Sequence, residues 1–546
     1  MNTFDKKQEY WWYLILTILA FFSFYFAIGS YPLFDNNEGL YASIAKLMLL
    51  NKEFIIPHLN CVPYIEKPPL LYWLLSGSFS LLGFTALAAR LVTATSATLV
   101  CTAIVFFAKK IKQPKIGIYG GLIFVSSIGV SIVARMVYFD MLFTLLISCT
   151  LFCLFYWHES HKAAILRIAY IFFGLAVLTK GLVAIILIPG SFMLFLILEK
   201  DFRGLYKALD PIGILLFLAI ILPWHIAAIM QHKDFFKHYI IEEHFLRFLN
   251  QREPHDYYNG PIYYYLPRIL IYLFPWSLFT PLIFWRQKNL DATEKKLLRF
   301  AWCWLLVPLV FFSLSSAKAN YYMIVSMPAL AIILGIKISS LFTKYNPRIF
   351  SLWSSAILFI IALALNIGYY SFFATNLVII AAAYAVISGI ILLLTRRPEA
   401  IVATVASLII PLTIIMTSYI GIIKNKISTA EAGTYLATVA KDKPLYLYED
   451  FENISALAFY APSCFKIIES HSNDLYYGKT LPEFKSQFVD KKALLQDLQQ
   501  QQIYIVVATK KLAQFYQNMK PIKFSVLKEF NLVTIVSNAK LNDTRP

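Results

Sequence analysis

The chain has 546 residues, of which 59% are hydrophobic and only 15% are charged, and it carries a formal net charge of +18. Because a soluble domain has about 25% charged residues, this composition excludes an ordinary soluble enzyme. We interpret the excess of Lys and Arg as cytoplasmic loop residues of a membrane protein rather than as a nucleic-acid-binding surface. The sequence has no GxxxxGKS or GxxxxGKT loop, which argues against ATP-driven transport.

The apolar residues form runs of about 20, the length that crosses the hydrocarbon core of a bilayer. No small-residue cleavage site follows the first run, so we interpret it as a membrane anchor and not as a signal peptide. The pattern predicts a polytopic α-helical membrane protein with about thirteen transmembrane spans, at residues 11–30, 83–107, 116–134, 137–157, 167–179, 181–198, 209–229, 264–285, 300–316, 320–340, 350–370, 373–395 and 400–423.

The connections between the spans differ in charge, and this difference predicts the topology. Six alternate connections, of which "KKIKQPK" is the first, are rich in Lys and Arg, as cytoplasmic loops are. The N-terminus is therefore predicted to be cytoplasmic, and an odd number of spans places the C-terminal segment on the outer side. Connections 31–82 and 230–263 also lie on the outer side, with most of the acidic, histidine and aromatic residues.

The composition changes after Lys424. The stretches "PLYLYED" and "QIYIVVATK" are typical of short buried strands, and "LPEFKSQFVDKKALLQDLQQQ" is typical of an amphipathic helix. We therefore divide the chain into a transmembrane domain, residues 1–424, and a small outer α/β domain, residues 425–546, which shows no reactive constellation of its own. Cys61 and Cys464 both lie in outer segments, where a disulfide between them is possible, although spacing alone does not establish one.

The first outer connection begins with "FDNNEGLYASIAKLMLLNKEF", in which apolar residues recur at helical spacing. Asp35 and Glu38 lie at its start. Helix capping explains both residues, since Asp is a good N-cap and a Glu three residues later resembles a capping box. A catalytic role for one of these carboxylates is compatible with capping.

The same connection contains "YIEKPPLLYW". Pro68 and Pro69 favour an extended entry into the following Leu-rich helix, so Glu66 and Lys67 are fixed at the membrane surface. The two charges are either an exposed ion pair of little energy or ligands for a metal and a phosphate.

Further polar residues occur at the predicted outer ends of spans. Asp140 is expected to be catalytic or paired, with Arg135 as the candidate partner, because a carboxylate at this depth is costly. Tyrosines in this zone are also typical of the aromatic belt, and lysines there favour contact with anionic lipid or phosphate. Five residues are candidates to line a substrate cavity: Tyr41, Tyr64, Lys180, Lys318 and Tyr321.

Five segments occur in the order and spacing of one family: "DNNEGLYASIAKLMLL", "VPYIEKPPLLYWLL", "ARMVYFDMLFTLL", "LTKGLVAIILIPG" and "IEEHFLRFLNQREPHDYYNGPIYYYLP". The chain resembles the bacterial membrane glycosyltransferases that modify lipid A with aminoarabinose, relatives of the protein O-mannosyltransferases. The specific motifs cover residues 1–340. The resemblance implies a GT-C-like fold in the bacterial inner membrane, with the outer domain in the periplasm, a polyprenyl-phosphate sugar as donor and lipid A as acceptor.

The resemblance also implies roles for individual residues. Glu66 and His244 resemble a pair that coordinates a divalent metal, for which zinc is better suited than manganese. The donor phosphate is expected to bind three cations: Lys67, Arg247 and Arg268. Many family members have Asp-Glu where this chain has Asn37-Glu38, so either Asp35 or Glu38 supplies the catalytic carboxylate, or the reaction needs no strong base.

The sequence thus predicts an inverting glycosyltransferase that moves a sugar, such as the amino sugar 4-amino-4-deoxy-L-arabinose, from a polyprenyl phosphate to lipid A at the periplasmic face. One alternative is the same chemistry on a protein hydroxyl or on a core or O-antigen sugar of lipopolysaccharide. A transporter or flippase of lipid-linked sugars is an alternative of another class. Because the charges concentrate at the span ends rather than at span midpoints, the sequence favours the enzyme.

Overall fold

A computed structural model describes residues 6–254, 260–285, 290–344, 375–394, 398–441, 443–449 and 451–538. Within these residues, seven helices are long and apolar enough to cross a bilayer, or nine if each of two bent pairs forms one span. The polytopic helical prediction is therefore confirmed. The predicted span at residues 350–370 lies outside the described residues.

Every other predicted span coincides with helical structure. In the first bent pair, the helices Pro114–Ser126 and Ile128–Ala134 meet at an angle of 65°. In the second, Tyr265–Leu273 and Trp276–Phe284 meet at 110°, next to Pro275, whose ring nitrogen has no N–H to donate. The helices of the transmembrane part are Lys6–Ala20 with the π-helical turn Phe21–Tyr25, Ala86–Lys110, Pro114–Ser126, Ile128–Ala134, Phe139–Ser160, Ala163–Lys180, Val183–Leu198, Pro211–Gln231, Tyr265–Leu273, Trp276–Phe279, Thr280–Phe284, Ala292–Leu314, Tyr322–Ser326, Met327–Lys344, Thr375–Leu394, Pro398–Ser407 and Ile409–Ile427.

The connections predicted to be outer ones contain their own short elements. Residues 31–82 form the helix Asn37–Asn51, a hairpin of β1 (His58–Leu59) and β2 (Val62–Pro63), and the helix Leu70–Leu82. Residues 230–263 include the π-helical segment Phe236–Leu246. One further short helix, Phe202–Lys207, lies between two spans.

The C-terminal domain is built on a six-stranded sheet of order β5-β4-β3-β6-β8-β7. Its strands are β3 (Leu445–Tyr448), β4 (Phe465–Ile468), β5 (Phe488–Val489), β6 (Tyr504–Ala508), β7 (Ser525–Glu529) and β8 (Val533–Ser537). The first four are parallel, and β8 runs antiparallel to both β6 and β7. The two strands predicted from the sequence are β3 and β6.

Both faces of this sheet are covered, which explains the continuous apolar runs of its strands. Leu445 and Leu447 pack into the large hydrophobic core, whereas Tyr446 and Tyr448 pack into a second cluster on the opposite face. The helices of the domain are Ala430–Val439, Glu452–Ile454, Ala456–Tyr460, Tyr476–Thr480, Pro482–Gln487, Lys491–Gln500, Thr509–Lys511 and Leu512–Asn518.

The amphipathic helix predicted over "LPEFKSQFVDKKALLQDLQQQ" is only half correct. The helix begins at Lys491, because the Asp490 carboxylate accepts a hydrogen bond from the Ala493 N–H and caps it. The residues before Asp490 instead form the short 3-10 helix Pro482–Gln487 and the edge strand β5.

A disulfide and several hydrogen bonds join the C-terminal domain to the first connection, residues 31–82. Cys61 and Cys464 form a disulfide across 403 residues of sequence. The neighbouring Asn60 side chain makes two hydrogen bonds of 2.8 Å to the backbone of Phe465, one as donor and one as acceptor. Lys46 donates to the Phe459 carbonyl at 2.7 Å. The domain therefore packs directly on the loop that carries the EKPP motif.

Candidate active site

A cavity of about 750 Å³ opens between the helix ends, the two long connections and the C-terminal domain. Most of the residues predicted from the sequence to form a site line it. They are Tyr41, Tyr64, Glu66, Lys67, Asp140, Lys180, His244, Arg247, Lys318 and Tyr321.

Charged residues from both long connections form one cluster in this cavity. The Glu66 carboxylate accepts hydrogen bonds from the Tyr64 hydroxyl at 3.1 Å and from Arg252 at 3.3 Å. Glu243 pairs with Arg247 at 3.0 Å and with the Arg252 Nε at 2.9 Å. Arg252 thus bridges two carboxylates that lie far apart in sequence.

The cluster has an excess of positive charge. Lys67, Arg247 and Arg252 are three cations facing two carboxylates, which leaves a formal charge of +1. Burial, and then the neighbouring Arg247 cation, lower the pKa of Lys67. An anion in the cavity would offset the cost of burying the Lys67 ammonium beside another cation, so the arrangement is suited to binding a phosphate. Sequence reasoning missed Arg252, although it lies in the quoted segment "NQREPH" only five residues after Arg247.

His244 lines the cavity, but both of its ring nitrogens have protein partners. Nδ1 donates to the Tyr239 carbonyl at 2.6 Å, since a carbonyl can only accept, and Nε2 accepts from the Leu182 N–H at 3.2 Å. Burial lowers the pKa of His244 to about 4, so the imidazole is neutral. A Cβ on Gly181, at φ 73°, would lie 2.4 Å from Nε2, which explains the glycine of "LTKG".

These contacts do not fit the predicted metal site. Arg252 already neutralises Glu66, Leu182 occupies the imidazole lone pair, and three cations surround the position. Within the described ranges, no group of three or more His, Cys, Asp or Glu side chains is arranged to hold a metal ion. The donor set is therefore suited to an anion rather than to a divalent cation.

A second charged pair lines the same cavity. Asp140, in the first turn of the helix Phe139–Ser160, accepts a hydrogen bond of 2.5 Å from Lys180, which is the last residue of the helix Ala163–Lys180. The Lys180 ammonium also lies 4.4 Å from the ring centre of Tyr322. The expectation that Arg135 pairs with Asp140 is wrong, because Arg135 donates instead to Thr417.

The structure does not bring Glu38 to the cavity. Its carboxylate makes two hydrogen bonds of 2.7 Å with Arg90 and also accepts from the N–H groups of Phe34 and Val137. Both side chains of the ion pair are completely buried. Glu38 therefore ties the first connection to the helix Ala86–Lys110, and its placement does not support the predicted catalytic role.

Asp35 is also directed elsewhere, toward the C-terminal domain. One of its carboxylate oxygens accepts hydrogen bonds from the Thr429 hydroxyl at 2.8 Å and from the Ala456 N–H at 2.9 Å. Burial raises the pKa of Asp35 to about 7. The predicted capping role is not realised, because no side chain caps the helix Asn37–Asn51. Asp35 is an interface residue in this structure.

Two predicted cations have structural partners. The Lys318 ammonium donates to three backbone carbonyls, at 2.6 to 2.9 Å, at the C-terminal end of the helix Ala292–Leu314. Arg268 stacks on Tyr264 at 3.3 Å and donates to the Asn320 side chain at 2.8 Å. Arg268 does not line the cavity, so its predicted phosphate contact is not supported by its position.

Polar neutral groups also line the cavity. The Tyr41 hydroxyl donates to Asn37 Oδ1 at 3.3 Å, and the Asn37 amide donates to the Tyr321 hydroxyl at 3.4 Å. Asn37 therefore lines the cavity at the position where the resembled motif has Asp. Such a chain of hydroxyl and amide groups is suited to hydrogen bonding with sugar hydroxyls.

The C-terminal domain also reaches the cavity, which the sequence did not predict. Four of its polar residues lie in the wall: Glu452, Asn453, Asn473 and Asp474. Nothing in the local sequence marks these residues, because their relevance depends on how the domain docks.

Comparison with known proteins identifies relatives of the chain. Residues 66–226 match the family described as dolichyl-phosphate-mannose-protein mannosyltransferase. Over 333 residues, the chain is 28% identical to an undecaprenyl phosphate-alpha-4-amino-4-deoxy-L-arabinose arabinosyl transferase of Pseudomonas fluorescens, covering 59% of each protein. It is 32% identical over 341 residues to an uncharacterized protein of Aquifex aeolicus, covering 61% of this chain and 74% of that one.

The fold is similar to that of a solved structure over almost its whole length. The crystal structure of ArnT from Cupriavidus metallidurans, bound to undecaprenyl phosphate, superposes with a TM-score of 0.81 at 20% identity. The match covers 98% of this chain and 99% of that one, and it confirms the GT-C-like architecture. By its sequence matches, the chain belongs to the bacterial aminoarabinose transferase family, which is related to the protein O-mannosyltransferases.

Proposed function

We propose that the chain is an inverting glycosyltransferase that moves an amino sugar, such as 4-amino-4-deoxy-L-arabinose, from a polyprenyl phosphate to lipid A. The reaction takes place at the periplasmic face of the bacterial inner membrane, with the N-terminus in the cytoplasm and the C-terminal domain in the periplasm. The activity named for the Pseudomonas fluorescens relative supports the donor and the sugar.

The observation that carries the proposal is the meeting of Lys67, Arg247 and Arg252 in one cavity with an excess positive charge. A polyprenyl-phosphate sugar is a phosphodiester, and its departing phosphate gains negative charge as the bond to the anomeric carbon breaks. Cations already in position stabilise this charge more in the transition state than in the ground state. The cluster is therefore suited to activating the leaving group.

The acceptor attacks the anomeric carbon from the face opposite the phosphate. The new bond from oxygen to the anomeric carbon forms while the bond to the phosphate oxygen breaks, which inverts the configuration. A lipid A phosphate carries about −1.5 to −2 charges at neutral pH, so it can attack without losing a proton. This acceptor is consistent with the engagement of Asp35 and Glu38 outside the cavity.

A hydroxyl acceptor would need a general base. Asp140 is the carboxylate of the predicted catalytic set that lines the cavity, and Lys180 holds it at 2.5 Å. This ion pair engages the Asp140 carboxylate and fixes its position in the cavity wall. We therefore assign Asp140 and Lys180 to positioning the substrates, while Asn37 and Tyr41 bind sugar hydroxyls.

The test is a transfer assay with the purified full chain, polyprenyl-phosphate aminoarabinose and lipid A. We expect a mass increment on lipid A that matches the release of polyprenyl phosphate, and loss of both in Lys67→Met. Lys510→Met, an exposed residue of the C-terminal domain, is the matched control. Transfer to a protein or to a core sugar would select the alternative acceptors. Movement of the donor across a vesicle membrane, without cleavage of its bond between sugar and phosphate, would establish a transporter instead.

A further inference from the structure

The C-terminal domain adds a carboxylate to the cavity that has no hydrogen-bonding partner. The four other acidic residues in the cavity wall have partners: Glu66, Asp140, Glu243 and Glu452. Asp474 lines the same cavity, and among the described residues its carboxylate makes neither a hydrogen bond nor an ion pair. It is therefore available for a group of the substrate.

The loop that carries Asp474 is held at both ends by the first connection. Before the loop, the Cys61–Cys464 disulfide fixes the start of β4. After the loop, the helix Tyr476–Thr480 packs so closely on β2 that a Cβ on Gly478 would lie 2.6 Å from Val62. Both anchor points are within a few residues of Glu66 and Lys67, so the loop has a fixed position relative to the cationic cluster.

The loop is also organised from within. The Glu452 carboxylate accepts hydrogen bonds from the Ser472 hydroxyl at 2.6 Å and from the Asp474 N–H at 3.0 Å. This second carboxylate holds the backbone of Asp474 and leaves its side chain directed to the cavity. Two acidic residues of the C-terminal domain therefore form an anionic wall, made of Glu452 and Asp474.

The cavity thus contains charges of both signs. Lys67, Arg247 and Arg252 favour an anion, whereas the anionic wall disfavours a phosphate and favours a cation. Burial, and then the nearby carboxylates of Glu66 and Glu452, raise the pKa of Asp474 well above its ordinary value, and the Arg252 and Arg247 cations partly oppose this shift. A positively charged ligand group at this wall would offset both the burial of the Asp474 carboxylate and its repulsion by the neighbouring carboxylates, because it would supply a hydrogen-bonding partner.

We propose that Asp474 binds the protonated amino group of the donor sugar, so that the C-terminal domain selects an amino sugar over a neutral one. This inference depends on the proposed glycosyltransferase function and adds its sugar specificity. In this arrangement the donor lies across the cavity, with its phosphate on the cationic cluster and its ammonium group on the anionic wall. Asp474 is a substrate-binding residue and takes no part in bond breaking.

The experiment compares two donors with the full chain: polyprenyl-phosphate 4-amino-4-deoxy-L-arabinose and the analogue that has a hydroxyl in place of the amine. We expect Asp474→Asn to lower kcat/KM for the amino sugar about 10- to 100-fold, the usual effect of losing a charged hydrogen bond. For the neutral sugar we expect less than about a threefold change. Asp474→Glu should keep the preference for the amine, and Glu431→Gln, an exposed carboxylate of the same domain, should behave as wild type.

The outcomes separate this inference from the proposed function. If the wild-type chain transfers neither sugar, the proposed function is wrong and the inference is overturned with it. If the wild type transfers the amino sugar but Asp474→Asn keeps the same preference, only the inference is overturned. An equal loss for both donors would also overturn it, because it would show that Asp474 supports the cavity wall and does not select the amine.

Discussion

Arg252 offers the sharpest test of the cationic cluster. Its guanidinium bridges Glu66 and Glu243, and its side chain is only 7% exposed. Arg252→Ala removes one of three cations and leaves two carboxylates, so the formal charge of the cluster falls from +1 to 0. Removing one partner of a buried ion pair costs about 3 to 5 kcal/mol.

The cost should appear in catalysis, because the same charge would stabilise the departing phosphate. If about 3 kcal/mol is lost from the transition state, kcat/KM for the donor falls roughly 100-fold, at 1.4 kcal/mol per factor of ten. Arg252→Lys should lose less, since it keeps the charge and loses only the planar guanidinium that bridges Glu66 and Glu243. The assay is transfer from polyprenyl-phosphate aminoarabinose, with thermal unfolding of each variant as the control for folding.

A second substitution separates charge from packing. In Arg252→Ala with Glu243→Gln, the formal charge returns to +1, because one carboxylate is removed with the one cation. We expect the double variant to recover part of the lost kcat/KM, which gives a favourable coupling energy between the two sites. A loss below threefold in Arg252→Ala, or no recovery in the double variant, would refute the electrostatic account of the cluster.

Three other predictions concern stability. Arg90→Met should lower the free energy of unfolding by about 3 to 5 kcal/mol, because it leaves Glu38 buried without its partner, whereas transfer per folded molecule should change little. Replacing both Cys61 and Cys464 by Ser should lower stability by about 2 to 4 kcal/mol, measured by denaturant unfolding, and the same loss in wild type under reducing conditions is the check. Asp35 has a folded-state pKa of about 7, above its ordinary value of 3.8, so the native state binds more protons than the unfolded state between these two pH values. Stability should therefore fall as pH rises from about 4 to 7 and then level off, and Asp35→Asn should flatten this part of the profile in a series of unfolding measurements.

The sequence determined the membrane part of this protein well. A segment in lipid must satisfy its own backbone hydrogen bonds, so an apolar run of about 20 residues predicts a helix without knowledge of its neighbours. The predicted strands β3 and β6 were also correct, because a strand covered on both faces is apolar throughout. The motif residues Glu66, Lys67, Asp140 and Arg247 do line one cavity.

Only the tertiary structure decided which charges meet. Arg252 and Glu66 are 186 residues apart, and Lys180 and Asp140 are 40 apart, so no local pattern reveals either pair. Glu38 and Asp35 looked like catalytic carboxylates in the sequence, but helix packing gives them Arg90 and the C-terminal domain as partners. Asp474 reaches the cavity because a disulfide and a close glycine contact dock its domain there. The energy of a charge depends on what surrounds it in space, and the order of residues along the chain does not specify that environment.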